Sequence, residues 1–131
     1  MSTLSVELDR LDHFALTVRD VEETCAFYEK VLGMARQNFE QGRVALRFGR
    51  HRINVNPNPN DLDRKPAVPI PGSAEFCLVS TTPLAEIIAH LRSCGVDIED
   101  GPAAVPGAEG QLLSVWFRDP DGNLVEIANA P

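Results

Sequence analysis

The sequence predicts an α+β protein built from two tandem β-α-β-β-β modules, whose strands form a curved, eight-stranded mixed sheet around a central pocket. Three observations support this fold class: strand and helix patterns alternate, the order of elements is repeated in the second half, and turn residues recur at equal spacing. The chain of 131 residues suits one domain. Its first module covers about residues 10–57, a linker about 58–72, and its second module about 73–130.

The first module begins with a strand, because inward and outward residues alternate from Leu11 to Val18. A helix follows, with Asp20 as its N-cap, Glu23 three residues later as in a capping box, and Gly33 at its end. Three further strands are predicted, over residues 35–39, 44–48 and 51–56.

The segment over residues 57–72 is rich in Pro and Asn, which excludes a helix or a central strand. Its prolines are Pro57, Pro59, Pro66, Pro69 and Pro71. It is either a plain linker or a crossover between the modules that also covers a pocket. The second module then starts with a strand over residues 73–79 and a helix capped by Thr82, with Pro83 at its first position. After Gly95 come residues 96–99, a Gly/Pro loop over 101–110, a strand over 112–118 and a last strand from Leu124.

The two halves match in register. The paired positions, each offset by 62 residues, are His13 and Glu75, the helix caps Asp20 and Thr82, and the helix stops Gly33 and Gly95. One such module cannot bury its sheet alone, so the two modules are expected to pair.

Strand alternation predicts which side chains face away from the helices. In the first module they are His13, Ala15, Thr17, Arg52, Asn54 and Asn56. In the second they are Glu75, Cys77, Val79, Ser114, Trp116, Arg118, Leu124, Glu126 and Ala128. This mixture of imidazole, carboxylates, amides, Trp and arginines is unlike a core and fits a ligand pocket with a few convergent polar groups.

Glu126 follows an Asp-Pro-Asp-Gly turn and lies among apolar residues, where a carboxylate needs a hydrogen bond, an ion pair or a metal. With His13 and Glu75 it makes a candidate site for Fe, Mn, Ni, Co or Zn in the divalent state. The alternatives are a satisfied strand histidine and glutamates paired with Arg52 or Arg118. The equivalence of His13 and Glu75 in the repeat favours the metal site.

Composition excludes several classes of function. A net charge of −7 argues against nucleic-acid binding, no apolar run reaches the length of a membrane span, and the N-terminus lacks a signal pattern. A cytoplasmic protein is therefore expected. The three cysteines stand apart from one another and are interpreted as reduced and structural, with Cys77 on the pocket face as the one candidate nucleophile.

Several motifs together resemble the vicinal oxygen chelate superfamily, which includes glyoxalase I, extradiol dioxygenases, fosfomycin-resistance proteins and bleomycin-binding proteins. They read LDHFALTVRD at 11–20, FYEKVLGM at 27–34 and FRDPDGNLVE at 117–126, and the likeness extends from Leu11 to Asn129. It is greatest to small glyoxalase-domain proteins that carry a Lys-Ile-Asn-Leu-His strand, where this chain has RINVN at 52–56. The resemblance implies metal ligands at His13, in the Asn54/Asn56 region, at Glu75 and at Glu126. Asn56 departs from the pattern, since the corresponding His is a stronger ligand.

The resemblance further implies a metal-dependent isomerase or lyase of glyoxalase type, acting on a small substrate with vicinal oxygens. Glu126 and Glu75 would bind the metal and move a proton, and the substrate-binding candidates are Arg52, Asn54, Trp116 and Arg118. A homodimer is expected, with the pocket completed either within one chain or between two. The alternatives are a non-catalytic drug- or metabolite-binding protein, a domain with a closed polar face, and an extradiol-type dioxygenase. The dioxygenase ranks lower because His13 alone supplies imidazole among these positions.

Overall fold

The computed structural model describes residues 5–58, 60 and 62–131. The first four residues of the chain and Pro59 of the predicted linker lie outside the described residues. The first module contains β1 (His13–Thr17), α1 (Val21–Leu32), β2 (Ala35–Asn38), a 3-10 turn (Glu40–Gly42), β3 (Val44–Phe48) and β4 (His51–Asn56). The second contains β5 (Glu75–Val79), α2 (Leu84–Ser93), β6 (Asp100–Gly107), β7 (Gly110–Arg118) and β8 (Leu124–Asn129). None of the described helices has the length and apolar character needed to cross a membrane.

The eight strands form two four-stranded mixed sheets, one in each module. Their orders are β1-β4-β3-β2 and β5-β8-β7-β6. In each sheet the first pair, β1 with β4 or β5 with β8, is parallel, and the other pairs are antiparallel. The predicted α+β class with two β-α-β-β-β modules is confirmed, with the strands divided between two sheets. The edge strands are β1 and β2 in the first sheet and β5 and β6 in the second.

Each sheet packs its inward residues against helical residues. The first core includes Leu16, Tyr28 and Ile53, and the second includes Leu91 and Phe117, all of them almost wholly buried. Aromatic side chains join the two cores. The Phe14 and Phe76 rings lie 4.9 Å apart between centroids, and those of Phe27 and Phe117 lie 6.2 Å apart.

The Gly/Pro loop predicted over residues 101–110 is wrong, because Asp100–Gly107 forms strand β6 and β7 begins at Gly110. Within the described sheet β6 pairs with β7 alone. Pro102 and Pro106 therefore stand in an edge strand, where a residue without a backbone N–H is tolerated. These prolines therefore mark an edge strand and not a break between strands.

The predicted N-cap of α1, Asp20, is confirmed. The predicted N-cap of α2, Thr82, is wrong. The Asp20 side chain accepts a hydrogen bond from the Glu23 N–H at 3.0 Å, as in a local N-cap. At α2 the helix begins at Leu84 after Pro83, and Thr82 does not cap it. The acceptor is Asn129 Oδ1 on β8, 2.7 Å from the Leu84 nitrogen. A distant residue has replaced the local one.

The turn between β7 and β8 joins the two modules through the buried carboxylate of Asp119. It accepts hydrogen bonds from the Tyr28 hydroxyl of α1 at 2.7 Å, from the backbone N–H groups of Asp121 and Asn123, and from the Asn123 amide. Burial, and then the charge of Asp119, raise the pKa of Tyr28, so its hydroxyl stays a donor. Gly72 of the linker passes this turn so closely that a Cβ there would lie 2.6 Å from the Asp121 carbonyl oxygen.

Candidate functional site

The outward sheet face of the first module carries basic side chains and no acidic ones. We call it the basic face. Strand register and alternation place on it Ala35, Gln37, Phe39, Arg43, Ala45, Arg47, Arg52, Asn54, Asn56, His13, Ala15 and Thr17. The residues between them on the strands, such as Leu46 and Ile53, are fully buried on the helix side. The face has three arginines and one imidazole in a chain of net charge −7.

The outward sheet face of the second module is acidic. On β5, β7 and β8 this acidic face carries Glu75, Cys77, Val79, Ser114, Trp116, Arg118, Leu124, Glu126 and Ala128. Its arginine, Arg118, is paired with Glu99 by two contacts of 2.6 and 3.1 Å, so its charge is already balanced. Glu75 and Glu126 have no ion pair among the described residues.

His13 has the arrangement that metal-binding histidines usually have. Its Nδ1 lies 2.8 Å from Asp12 Oδ1, and its side chain is 43 % exposed. The His13 contact, followed by Arg10, lowers the pKa of Asp12, so that carboxylate is ionised near neutral pH. An ionised carboxylate only accepts, so Nδ1 carries the proton and the lone pair of Nε2 is left for a ligand bond.

Glu126 meets the thiol of Cys77 rather than an arginine. The two residues are cross-strand partners, with Trp116 opposite Glu126 on the other side. Burial, followed by the charge and hydrogen bond of Glu126, raises the pKa of the Cys77 thiol to about 11. Cys77 is therefore a protonated, weak donor to Glu126 at neutral pH, and a nucleophilic role for it is not supported. The half-buried carboxylate of Glu126 keeps most of its capacity to accept.

Arg52 lies across the centre of the basic face. Its guanidinium carbon is 5.0 Å from the centre of the Phe39 ring, and its Nε is buried without a hydrogen-bond partner. The predicted alternative, in which Arg52 or Arg118 pairs with Glu75 or Glu126, is not formed within the chain. His51 faces the helix side, as its parity predicts, and its Nδ1 lies 2.7 Å from the Leu11 carbonyl oxygen.

One chain does not bring the predicted ligands together. Glu75, Cys77 and Glu126 share the acidic face, whereas His13, Asn54 and Asn56 share the basic face. Within residues 5–58, 60 and 62–131, no group of three or more His, Cys, Asp and Glu side chains lies close enough to hold a metal ion.

A cavity of about 970 Å³ runs along the open edge of β5. Its walls are largely apolar, with Phe14, Phe48, Phe76 and Leu78, and it is bordered on the outer side by Glu75 and Cys77. This volume suits a small-molecule pocket. It begins where the acidic face ends.

Sequence reasoning missed three contributors to this site, namely Asp12, Phe39 and Arg47. The alternation around the buried Leu46 was the available signal for Arg47, and the proximity of Asp12 to His13 in the chain was the signal for the orienting carboxylate. Phe39 had no such signal, because its contact with Arg52 depends on how β2 and β4 lie in the same sheet.

A comparison with protein families identifies the family to which this fold belongs. A model of the Glyoxalase/Bleomycin resistance protein/Dioxygenase superfamily matches residues 10–127. The chain belongs to this superfamily. The resemblance predicted from the motifs, which is the vicinal oxygen chelate superfamily, is confirmed.

Two relatives in the superfamily are similar over nearly their whole length. The "Virulence protein STM3117" of Salmonella typhimurium is 40 % identical over 96 % of this chain and 88 % of that protein. Its crystal structure superposes with a TM-score of 0.93, covering 96 % of this chain and 100 % of that one. An integron cassette protein of V. cholerae is 41 % identical, with a TM-score of 0.94 over 98 % and 100 % of the two chains.

A lactoylglutathione lyase from Agrobacterium tumefaciens has the same fold at 23 % identity, with a TM-score of 0.72 over 95 % of this chain and 96 % of that one. At this identity the likeness concerns the fold alone.

Proposed function

We propose that this protein is a metal-dependent enzyme of the glyoxalase type, which carries out isomerase or lyase chemistry on a small substrate with neighbouring oxygens. The observation that carries the proposal is the state of His13. Its Nδ1 is held by Asp12 at 2.8 Å, its side chain is partly exposed, and its strand register places it on the basic face. A merely structural surface histidine does not need an orienting carboxylate.

The site is proposed to form between two copies of the chain. His13 of one copy and Glu75 and Glu126 of the other would supply the ligands, with Asn56 as a weaker, neutral oxygen ligand. Two features support this arrangement: the basic and acidic faces are complementary in charge, and the open edges of β1 and β5 are suited to be covered in a symmetric dimer. The absence of a three-ligand group within the described part of one chain agrees with it.

The donor set fits a divalent ion of the Zn, Ni, Co, Mn or Fe type, since it combines one neutral imidazole with two carboxylates. When bound, such an ion would act as a Lewis acid toward neighbouring substrate oxygens. Glu126 would take a proton from the substrate and return it, a role supported by its half-buried carboxylate, which receives a weak thiol donor from Cys77. Trp116, its other cross-strand neighbour, would form part of the pocket wall.

Metal analysis of mixed mutants tests both the ligands and the two-copy arrangement. His13→Ala and Glu126→Ala are each expected to lose most bound metal after loading and gel filtration. When the two variants are unfolded together and refolded, each mixed dimer keeps one His13 and one Glu126 across the same interface. About one metal ion per mixed dimer should then return, because half of the sites are intact.

The matched control is His51→Ala, which removes an imidazole from the helix side and should leave metal content unchanged. A metal content unaffected by His13→Ala would exclude the proposed site. If both variants lose bound metal and the refolded mixture does not regain it, all the ligands of a site lie in one chain. Sedimentation at the same concentrations establishes whether dimers are present.

A sequestering protein is the second candidate function, favoured by Asn56 and by the apolar cavity beside β5. It is distinguished from the enzyme by binding an apolar or flat ligand tightly after all metal has been removed. Glu126→Gln would leave that binding intact, whereas it would abolish turnover by the enzyme.

A further inference from the structure

The basic face has three arginines that lack carboxylate partners. Arg43, Arg47 and Arg52 form no ion pair within the part of the chain that the structure describes. Arg36, on the opposite face of the same sheet, is paired with Glu22 through two contacts. The chain has 19 acidic residues, and none of them lies on the basic face.

The Arg52 side chain is held in place by packing, but its Nε–H group has no hydrogen-bond acceptor. Its side chain stacks on Phe39, and Ala45, on the intervening strand β3, is fully buried. A guanidinium remains charged at any accessible pH, and its buried Nε–H has no acceptor. A buried donor without a partner is costly, so an oxyanion that reaches this N–H after a small shift of the side chain would relieve that cost. The stacking fixes the plane of the group and so the direction from which an oxyanion would approach.

Arg47 adds a second positive charge at the same level of the sheet. It is the register partner of Arg52 across β3 and β4, and Arg52 is in turn the partner of His13. Like charges opposite one another destabilise a sheet unless something neutralises them. The row His13, Arg52, Arg47 thus runs from the proposed metal ligand to a pair of unpaired guanidinium groups.

We propose that the basic face binds an oxyanion, with Arg52 as the central contact and Arg47 as the second, and that the natural substrate is therefore an anionic small molecule. The inference rests on the proposed function, because the anion would be a carboxylate or a phosphate group of the molecule whose other oxygens lie beside His13. Arg52 stacked on an aromatic ring offers a bidentate edge that either group can use.

The test measures anion binding in metal-free protein, so that it does not depend on the metal. Malonate and inorganic phosphate are titrated separately into ¹⁵N-labelled protein in the presence of a chelator, at constant ionic strength. The arginine Nε–H resonances and the backbone amides report binding. We expect the Arg52 Nε–H signal to shift with saturation, and Arg52→Met to weaken binding about tenfold or more. Arg47→Met should weaken it less.

Arg92→Met on α2 is the control, because it removes the same charge at an exposed helical position and should change affinity less than about twofold. Preference for malonate identifies a carboxylate substrate, and preference for phosphate a phosphorylated one. Equal losses in Arg52→Met and Arg92→Met, or no shift at Arg52 with either anion, would overturn the proposal. The second result is expected if partner carboxylates already occupy Arg52. Amide spectra of each variant verify the fold. Anion binding without metal binding would support the oxyanion site at Arg52 and Arg47 while rejecting the proposed enzyme and, with it, the assignment of the anion to its substrate.

Discussion

The two modules share one topology and one register, yet their outward faces carry opposite charge. On the helix side both sheets are apolar, with Leu16 and Ile53 in the first and Phe117 and Val125 in the second. That side is constrained, since a slip of one residue would expose every buried side chain. The outward side has no such constraint, so it could become basic in one module and acidic in the other. A duplicated fold can thus provide two unlike halves of one site.

The turns that join the third and fourth strands of each module differ in the same way. In the first module residues Gly49 and Arg50 form a short exposed turn. In the second, Asp119 and Asn123 are buried and bonded to α1 and to the start of β5. The stability of the module pair is therefore expected to depend on one turn and not on the other.

The largest expected effect is that of Asp119→Ala on the free energy of unfolding. The substitution leaves the Tyr28 hydroxyl, the Asn123 amide and two backbone N–H groups without their acceptor. Buried donors without partners cost more than the lost bonds themselves, so we expect a loss of about 3 kcal/mol or more in urea unfolding.

Arg50→Ala at the equivalent turn of the first module is the comparison, with an expected change of less than about 0.5 kcal/mol. Tyr28→Phe should lie between the two, because it removes a single donor to Asp119. Similar losses in Asp119→Ala and Arg50→Ala would show that the two turns are equivalent and that the buried network has no special role.

The caps of the two helices give a second, smaller contrast. Asp20 caps α1 through the Glu23 N–H alone, whereas Asn129 accepts from Leu84 and donates to the Ser80 and Thr82 carbonyls. We expect Asn129→Ala to cost about 2 kcal/mol and Asp20→Ala about 1 kcal/mol in the same unfolding measurement.

Asn129→Asp keeps the acceptor for Leu84 but sets a carboxylate oxygen against the Ser80 and Thr82 carbonyl oxygens. Because two acceptors then face each other, its loss should be at least as large as that of Asn129→Ala. If Asn129→Ala were no more harmful than Asp20→Ala, the tie between α2 and β8 would contribute nothing beyond an ordinary cap.

The sequence allowed the elements of the first module to be predicted closely, because its signals are local. Asp20 and Gly33 bound α1, and alternation defines β1, β3 and β4. The errors in the second module have a common cause, which is that tertiary contacts replaced local signals. Asn129 caps α2 from the distant strand β8. The prolines of β6 are tolerated because β6 is an edge strand that pairs with β7 on one side only. Strand alternation was enough to predict which residues share an outward face. The stacking of Arg52 on Phe39 could not be predicted in this way, because it depends on how β2, β3 and β4 lie side by side in the sheet.

The smallest expected effect concerns the acidic face, where the charge of Glu126 acts on Cys77. Burial and Glu126 together raise the pKa of Cys77 to about 11, with burial the larger cause. Glu126→Gln removes the second cause and lowers that pKa, so more thiolate is present at any pH below it. We expect alkylation of Cys77 by iodoacetamide at pH 8 to become about threefold faster, measured by peptide mass spectrometry.

Glu75→Gln provides the matched control, because Glu75 shares the acidic face and the strand of Cys77 but does not contribute to its raised pKa. It should change the rate much less than Glu126→Gln, while Cys25, which is buried on the inner side of α1, should be alkylated slowly in all variants. Equal rates in the two glutamine variants would mean that the general negative potential of the face, and not contact with Glu126, sets the reactivity of Cys77. In that case the Glu126 carboxylate would accept no hydrogen bond from Cys77 on the neighbouring strand β5. Its proposed role in proton transfer would then face no competition from the thiol.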